Sequence, residues 1–423
     1  MVNKFYNEKI NETIKVYEHK SGLKVYVCEK KDYSSSYAIF GTRYGSIDTK
    51  FKIKDQDFLE VPEGIAHYLE HKLFESEEQD AFQRFAKTGA AANAFTSFDK
   101  TCYLFSCSSN FNENFKILLD FVQHPYFTEE TVRKEQGIIG QEINMYQDHA
   151  SWRVLFNLLC ALYKVHPVRI DIAGTVESIS KINAELLYDC YNTFYNLNNM
   201  FICVAGNVDA QEVFDMCDEL LITKEKIEIE RFMPDEPYEV VQDKVEISLP
   251  VSIPMFTIGF KEKCYKPQKT LKEIILTDLI LKCVFGNDGK LYKTLFDAGL
   301  INENFSTEYF NGYGYACSIV EGESKDPEKV RSIINDYIVK VKQEGIDEET
   351  VLRYKKAYYG KTVSEYNSVE NIVMNMVDTA FDGNEGVFDS IEIISNINVE
   401  DVNKRLQEIL DVNNSSISIV KTK

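Results

Sequence analysis

The feature that most constrains this chain is His67-x-x-Glu70-His71, within the run Gly64-Ile-Ala-His-Tyr-Leu-Glu-His-Lys-Leu-Phe-Glu75. On an α-helix, residues four apart lie one turn apart on the same face, so both imidazoles leave together. Glu70 is three residues from His67 and adjacent to His71, so it projects close to that face. Two imidazoles there can hold one Zn²⁺, and a carboxylate beside them can take a proton from water on the metal. Only six histidines occur in 423 residues, which makes the spacing a specific signal. The apolar neighbours Ile65, Leu69, Leu73 and Phe74 predict a well-packed helix, expected over 62–74. The bland alternative is a helix bearing two surface histidines.

A structural zinc closes four protein ligands, whereas a catalytic one keeps a position for water, so the pair needs one more donor. No other histidine is well placed. His124 sits beside Pro125, and His149 and His166 lie near predicted helix ends. A long helix expected over 128–148 offers Glu135 and Glu142, two turns apart and therefore on one face. A solvated helix face is the more common fate of such a pair.

At 423 residues the chain exceeds one ordinary core. The expected division is 1–221, a linker at 222–242 rich in Lys and Glu with Pro234 and Pro237, and 243–423. Strands are expected at 13–19, 23–29, 37–44, 93–97, 101–108, 200–206, 244–260, 315–321 and 415–421. Helices are expected at 79–88, 111–123, 151–163, 182–195, 210–221, 270–286, 288–298, 326–343, 347–381 and 398–411. One pattern recurs. Asn183 precedes a helix and Asn198-Asn199 follows it before an apolar strand; Asn398 and Asn413-Asn414 do the same, half the chain later. The expectation is an α+β fold of two related domains, each a mainly antiparallel sheet with helices packed on one side.

The net charge of −20 argues against binding nucleic acid or anionic membranes by general electrostatics. The first residues lack the apolar core of a signal peptide, and no run of eighteen apolar residues would span a membrane. The ten cysteines, Cys264 among them, form no C-x-x-C. Cys28, Cys203 and Cys317 sit in strand-like apolar runs, as reduced thiols of a cytoplasmic protein would.

The order H-x-x-E-H is the inverzincin signature, the reverse of H-E-x-x-H. Together with Asn93-Ala94-Phe95-Thr96, Thr101, Tyr103, Glu135, Glu142, His166-Pro167, Ala173-Gly174-Thr175 and Gly206-Asn207-Val208-Asp209, it resembles the pitrilysin/insulysin family of zinc peptidases. The branch is that of mitochondrial processing peptidase and its bacterial relatives. The resemblance runs from 36 to 208 and continues more weakly beyond.

It implies a duplicated, clam-shell fold with Zn²⁺ held by His67, His71 and Glu142, and with Glu70 as general base. Glu135 would support the ligands by hydrogen bonding. The strand carrying Asn93, Ala94, Phe95 and Thr96 would bind peptide substrates by main-chain pairing. The family also carries an Arg and a Tyr in its second half. Here Leu295 or Phe296 and Asn302 stand near those places, and no arginine lies between Arg231 and Arg331. Tyr309, Tyr313 or Tyr315 could supply a hydroxyl, although packing is their commoner use. The expectation is therefore the metal-bearing subunit of a two-protein peptidase, its homologous partner supplying the Arg/Tyr pair, or else a homodimer. A non-catalytic scaffold or a peptide-binding subunit is the alternative.

Overall fold

The computed structural model describes residues 2–77, 79–263, 269–382 and 386–423; Cys264 lies outside them. Cys28, Cys203 and Cys317 are buried, as their apolar surroundings predict. No helix among the described residues is long and apolar enough to cross a membrane.

Among the described residues, ten strands lie before residue 232: β1 (Val2–Asn7), β2 (Glu12–Glu18), β3 (Lys24–Glu29), β4 (Ser36–Thr42), β5 (Lys50–Ile53), β6 (Leu59–Glu60), β7 (Ala91–Thr96), β8 (Thr101–Cys107), β9 (Met200–Gly206) and β10 (Ile229–Arg231). Five follow: β11 (Lys244–Leu249), β12 (Met255–Lys261), β13 (Ser306–Gly312), β14 (Tyr315–Glu323) and β15 (Ser415–Thr422). The first sheet has the order β1-β2-β3-β9-β4-β8-β7, the second β11-β15-β12-β14-β13, and β10-β5-β6 form a small third sheet.

Removing the β1–β2 hairpin leaves the same five-stranded plan in both large sheets. β3 runs parallel to β9 and β11 parallel to β15, while every other neighbouring pair is antiparallel. The chain is thus two copies of one α+β plan. The asparagine pattern has a physical basis in each copy. Asn183 caps the helix Ala184–Phe194 by accepting from the Leu186 N–H, and Asn398 caps Val399–Glu408 by accepting from Asp401. Asn199 and Asn414 close short 3₁₀ turns that feed β9 and β15. The Asn199 side chain donates to Phe194 O at 2.9 Å and the Asn414 side chain to Tyr238 O at 2.9 Å. Phe194 O also accepts from the Thr42 hydroxyl at 2.7 Å.

By contacts the chain forms two compact units that cross the expected division. The first comprises Met1–Ile143, Asp171–Phe232 and Val363–Asp389; the second comprises Asn144–Ile170, Met233–Thr362 and Ser390–Lys423. The cause is a reciprocal exchange of helices. Ala150–Leu162 packs on β11, β12 and β15, whereas Val369–Asp382 packs on β3, β4 and β9. Residues 222–242 are also shared out, since β10 pairs with β5 in the first unit. Glu236, in the second, accepts the backbone N–H groups of Lys164, Val165 and His166.

In the first unit one face of the sheet, with Val25, Val27, Ala38, Phe40, Tyr103, Phe105, Ile202 and Val204, packs on the helices that carry the motif residues. The alternating residues Cys28, Ile39, Cys203 and Ala205 are buried as well, opposite Val373, Met376 and Val377 of the exchanged helix. Arg43 donates to Phe381 O at 3.1 Å and also to Ala380 O, ending that helix on a cation.

Several expected elements are redrawn. The helix expected at 347–381 is two, Glu348–Glu365 and Val369–Asp382, parted where the Ser368 hydroxyl accepts the Asn371 N–H. The strands expected within 244–260 are β11 and β12, separated by the segment holding Pro250 and Pro254. Strands β1, β5, β6, β10 and β13 and the helix Asp389–Asn396 had no strong periodic signal of their own.

Candidate metal centre

The motif helix spans Ile65–Leu73, with Ile65, Leu69 and Leu73 buried in the core. Its start is held by backbone contact rather than by a side-chain cap. Gly64 sits at φ 86°, and Gly174, at φ 72°, faces it across the loop Ala173-Gly174-Thr175. A Cβ on Gly64 would lie 2.3 Å from Ala173 O, and one on Gly174 would lie 2.5 Å from Glu63 O. Both positions therefore need glycine for conformation and for space. Ser178 adds a hydrogen bond to Glu63 O at 2.8 Å.

The second helix, Glu129–Gln147, buries Val132, Ile139 and Ile143. The Tyr68 hydroxyl, between the two histidines, donates to Val132 O and ties this helix to the first. His67, His71 and Glu142 each bring one donor atom to a common point, all within 4.8 Å of one another. His67 Nε2 lies 3.8 Å from Glu142 Oε1, and His71 Nε2 lies 3.5 Å from Glu142 Oε2. A tetrahedral zinc with bonds of about 2.0–2.2 Å sets its ligand atoms about 3.3–3.6 Å apart, so the donor set fits that ion. Three side chains leave the fourth position for water or substrate. Glu135 Oε1 lies 3.1 Å from His71 Nδ1 and orients that ring. His67 Nδ1 is buried without a hydrogen-bond partner.

Electrostatics separate the two imidazoles. Burial, helped by neighbouring His71, pushes the His67 pKa down to about 3 and keeps that ring neutral, with a lone pair to offer. Burial also opposes charge on His71, but the Glu135 hydrogen bond and the Glu70 and Glu142 charges outweigh it and raise its pKa. Burial raises the Glu70 pKa against the opposing effects of the Thr96 hydrogen bond and His71.

Among the described residues, strand β7 is one of the two edges of the first sheet, β1 being the other. Of its four expected substrate residues, Thr96 alone reaches the motif: its hydroxyl donates to Glu70 Oε2 at 2.8 Å. Asn93 is exposed and accepts the Ala94 N–H, Ala94 packs toward the core, and Phe95 is half-buried. The Thr96–Glu70 bond was not foreseen, although Thr96 belongs to the Asn-Ala-Phe-Thr match that placed the strand.

The remaining histidines serve elsewhere. His19 bonds Ser21 in a turn, His124 bonds Asp120 O, His149 caps a helix, and His166 bonds Tyr313 O. In the second unit Leu295 is buried, Phe296 stacks on Tyr292, and Asn302 donates to Glu323 Oε2 at 2.6 Å. Tyr309 is buried with its hydroxyl on Glu262 Oε2 at 2.6 Å, and Tyr315 packs on His166 and Phe310.

Residues 60–176 match the family model described as insulinase, peptidase family M16, and residues 181–358 match the model described as the peptidase M16 inactive domain. The chain is 40% identical over 416 residues to an uncharacterized zinc protease, YmfH, of Bacillus subtilis (strain 168), covering 96% of each. The crystal structure described as an M16-like peptidase from Alicyclobacillus acidocaldarius is 36% identical, with a TM-score of 0.94 over 97% of this chain and 99% of that one. Pitrilysin shares the fold at 17% identity, with a TM-score of 0.77 over 100% of this chain and 46% of its own.

The Gly64–Gly174 contact makes one prediction. Gly174→Ala forces a positive φ on alanine, costing about 1–2 kcal/mol before the collision with Glu63 O is counted. The melting temperature should fall by several degrees and bound zinc should fall with it. Unchanged melting and zinc content would show that the loop does not hold the motif helix.

Proposed function

The chain belongs to the insulinase family, peptidase family M16, and on that ground we propose that it is a zinc metalloendopeptidase that hydrolyses peptides or unfolded segments. The observation that carries the reading is Glu70, a carboxylate on the same helix face as the His67, His71 and Glu142 donor set. A scaffold has no use for a base at that position.

His67, His71 and Glu142 would hold the zinc, which when bound would supply Lewis acidity toward the scissile carbonyl and toward water. Glu70 takes the proton of the attacking water on its carboxylate and passes it to the leaving amine. Glu135 keeps the His71 proton on Nδ1, which leaves Nε2 as the ligand nitrogen. The unpaired edge of β7, bearing Asn93, Ala94, Phe95 and Thr96, receives the peptide as an added strand. Main-chain pairing of that kind gives affinity with little sequence preference.

The places near the family's Arg and Tyr hold Leu295, Phe296 and Asn302, and the Tyr309 hydroxyl is committed to Glu262. We therefore read the chain as the metal-bearing subunit of a two-subunit peptidase, with a homologous partner completing the contact to the substrate carbonyl. Cysteines set singly in buried apolar strands, such as Cys28 and Cys203, support a reducing, cytoplasmic setting.

Glu70→Gln should retain zinc and melt as the wild type does, while hydrolysis of an unstructured quenched peptide falls by about 10²–10⁴-fold. Cleavage that survives removes Glu70 from the base role. Glu142→Gln should lose zinc on dialysis, and an unchanged metal-to-protein ratio would remove it from the ligand set. The purified chain alone should turn over slowly and the complex captured from its source cell quickly. High turnover by the isolated chain would refute the divided-enzyme reading. Bound metal without cleavage in either preparation would favour a peptide-binding subunit, and neither metal nor cleavage a scaffold.

A further inference from the structure

A buried carboxylate on a flexible side chain needs something to fix its plane. For Glu70 that partner is Thr96, whose Oγ1 lies 2.8 Å from Oε2; among the described residues it is the one side chain that hydrogen-bonds this carboxylate. A threonine hydroxyl has a single proton to give. Thr96 is paired across the strands with Thr101, and their Oγ1 atoms are 3.5 Å apart. Thr101 is fully buried and spends its own proton on Tyr44 O at 2.9 Å. The shorter, charge-assisted bond therefore takes the Thr96 proton to Glu70. It engages Oε2 and leaves Oε1 to receive the proton of the attacking water.

Thr96 also ends β7, the strand proposed to receive the peptide. We infer that Thr96 is a positioning residue for the reaction: it sets the orientation of the base, and it makes the peptide-bearing strand and that base parts of one rigid assembly. Peptide backbone and proton acceptor are then registered by the same residue. The inference rests on the peptidase reading and goes beyond it by assigning a role to a side chain that touches no metal ligand.

The test compares Thr96→Val and Thr96→Ser in the zinc-loaded full chain, isolated together with whatever partner copurifies from its source. Valine keeps the branched shape and strand preference of threonine while removing the donor; serine keeps the donor. Thr96→Val should lower kcat by about 10–100-fold with KM within about twofold, and with zinc content and melting temperature unchanged. Thr96→Ser should restore kcat to within about threefold of wild type. An unchanged kcat in Thr96→Val, a loss confined to KM, or a serine variant as slow as the valine one would each overturn the inference while leaving the peptidase reading standing. A zinc-bearing wild type that cleaves no peptide in any preparation would overturn both.

Discussion

The close approach of two backbone loops is the constraint on which the centre depends. Gly64 and Gly174 meet with room for no Cβ on either side, so the first turn of the motif helix has one position relative to the loop it abuts. From there the geometry is inherited. One turn on, Tyr68 reaches Val132 and fixes the second helix. The donor atoms of His67, His71 and Glu142 then converge without help from any loop side chain. Sites carried on rigid elements keep their geometry better than sites carried on loops.

The two copies of the plan show how little a fold dictates chemistry. The histidines of the second unit are committed elsewhere, His149 to a helix cap and His166 to Tyr313 O. That unit's buried carboxylate Glu262 is neutralised internally, by Arg405 at 2.5 Å and Lys269 at 2.8 Å, with the Tyr309 hydroxyl in addition. In the first copy, Glu70, Glu135 and Glu142 surround two imidazoles, and among the described residues no lysine or arginine is paired with them. One copy carries its own counter-cations, while the other presents a negative pocket that a divalent cation would complete.

Local pattern made the chemistry readable and left the packing hidden. The i, i+4 histidines, the glutamates two turns apart and the asparagine caps are all short-range signals, and the helices that carry them lie close to where their periodicity placed them. What pattern could not convey was which sheet a helix covers. Ala150–Leu162 and Val369–Asp382 are amphipathic like their neighbours, and nothing in their composition says that each belongs with strands from the other half of the sequence. The same limit hid the Thr96–Glu70 bond, which joins a strand and a helix 26 residues apart in sequence. Strands β1 and β13 lie at sheet edges, where half-exposed residues blur alternation.

The exchanged helices also bear on how the protein is made. The first sheet has all its strands once synthesis passes Gly206, yet one of its faces stays uncovered until Val369–Asp382 emerges. Until then Cys28, Ile39, Cys203 and Ala205 are apolar surface without a lid. Closing such a distant contact is slow, because the entropy of a very long loop is lost before burial compensates it. The nascent first half must therefore persist as a sheet dressed on one side only, a state that a folding factor would recognise by its bare apolar strands and that no excised first half could leave behind.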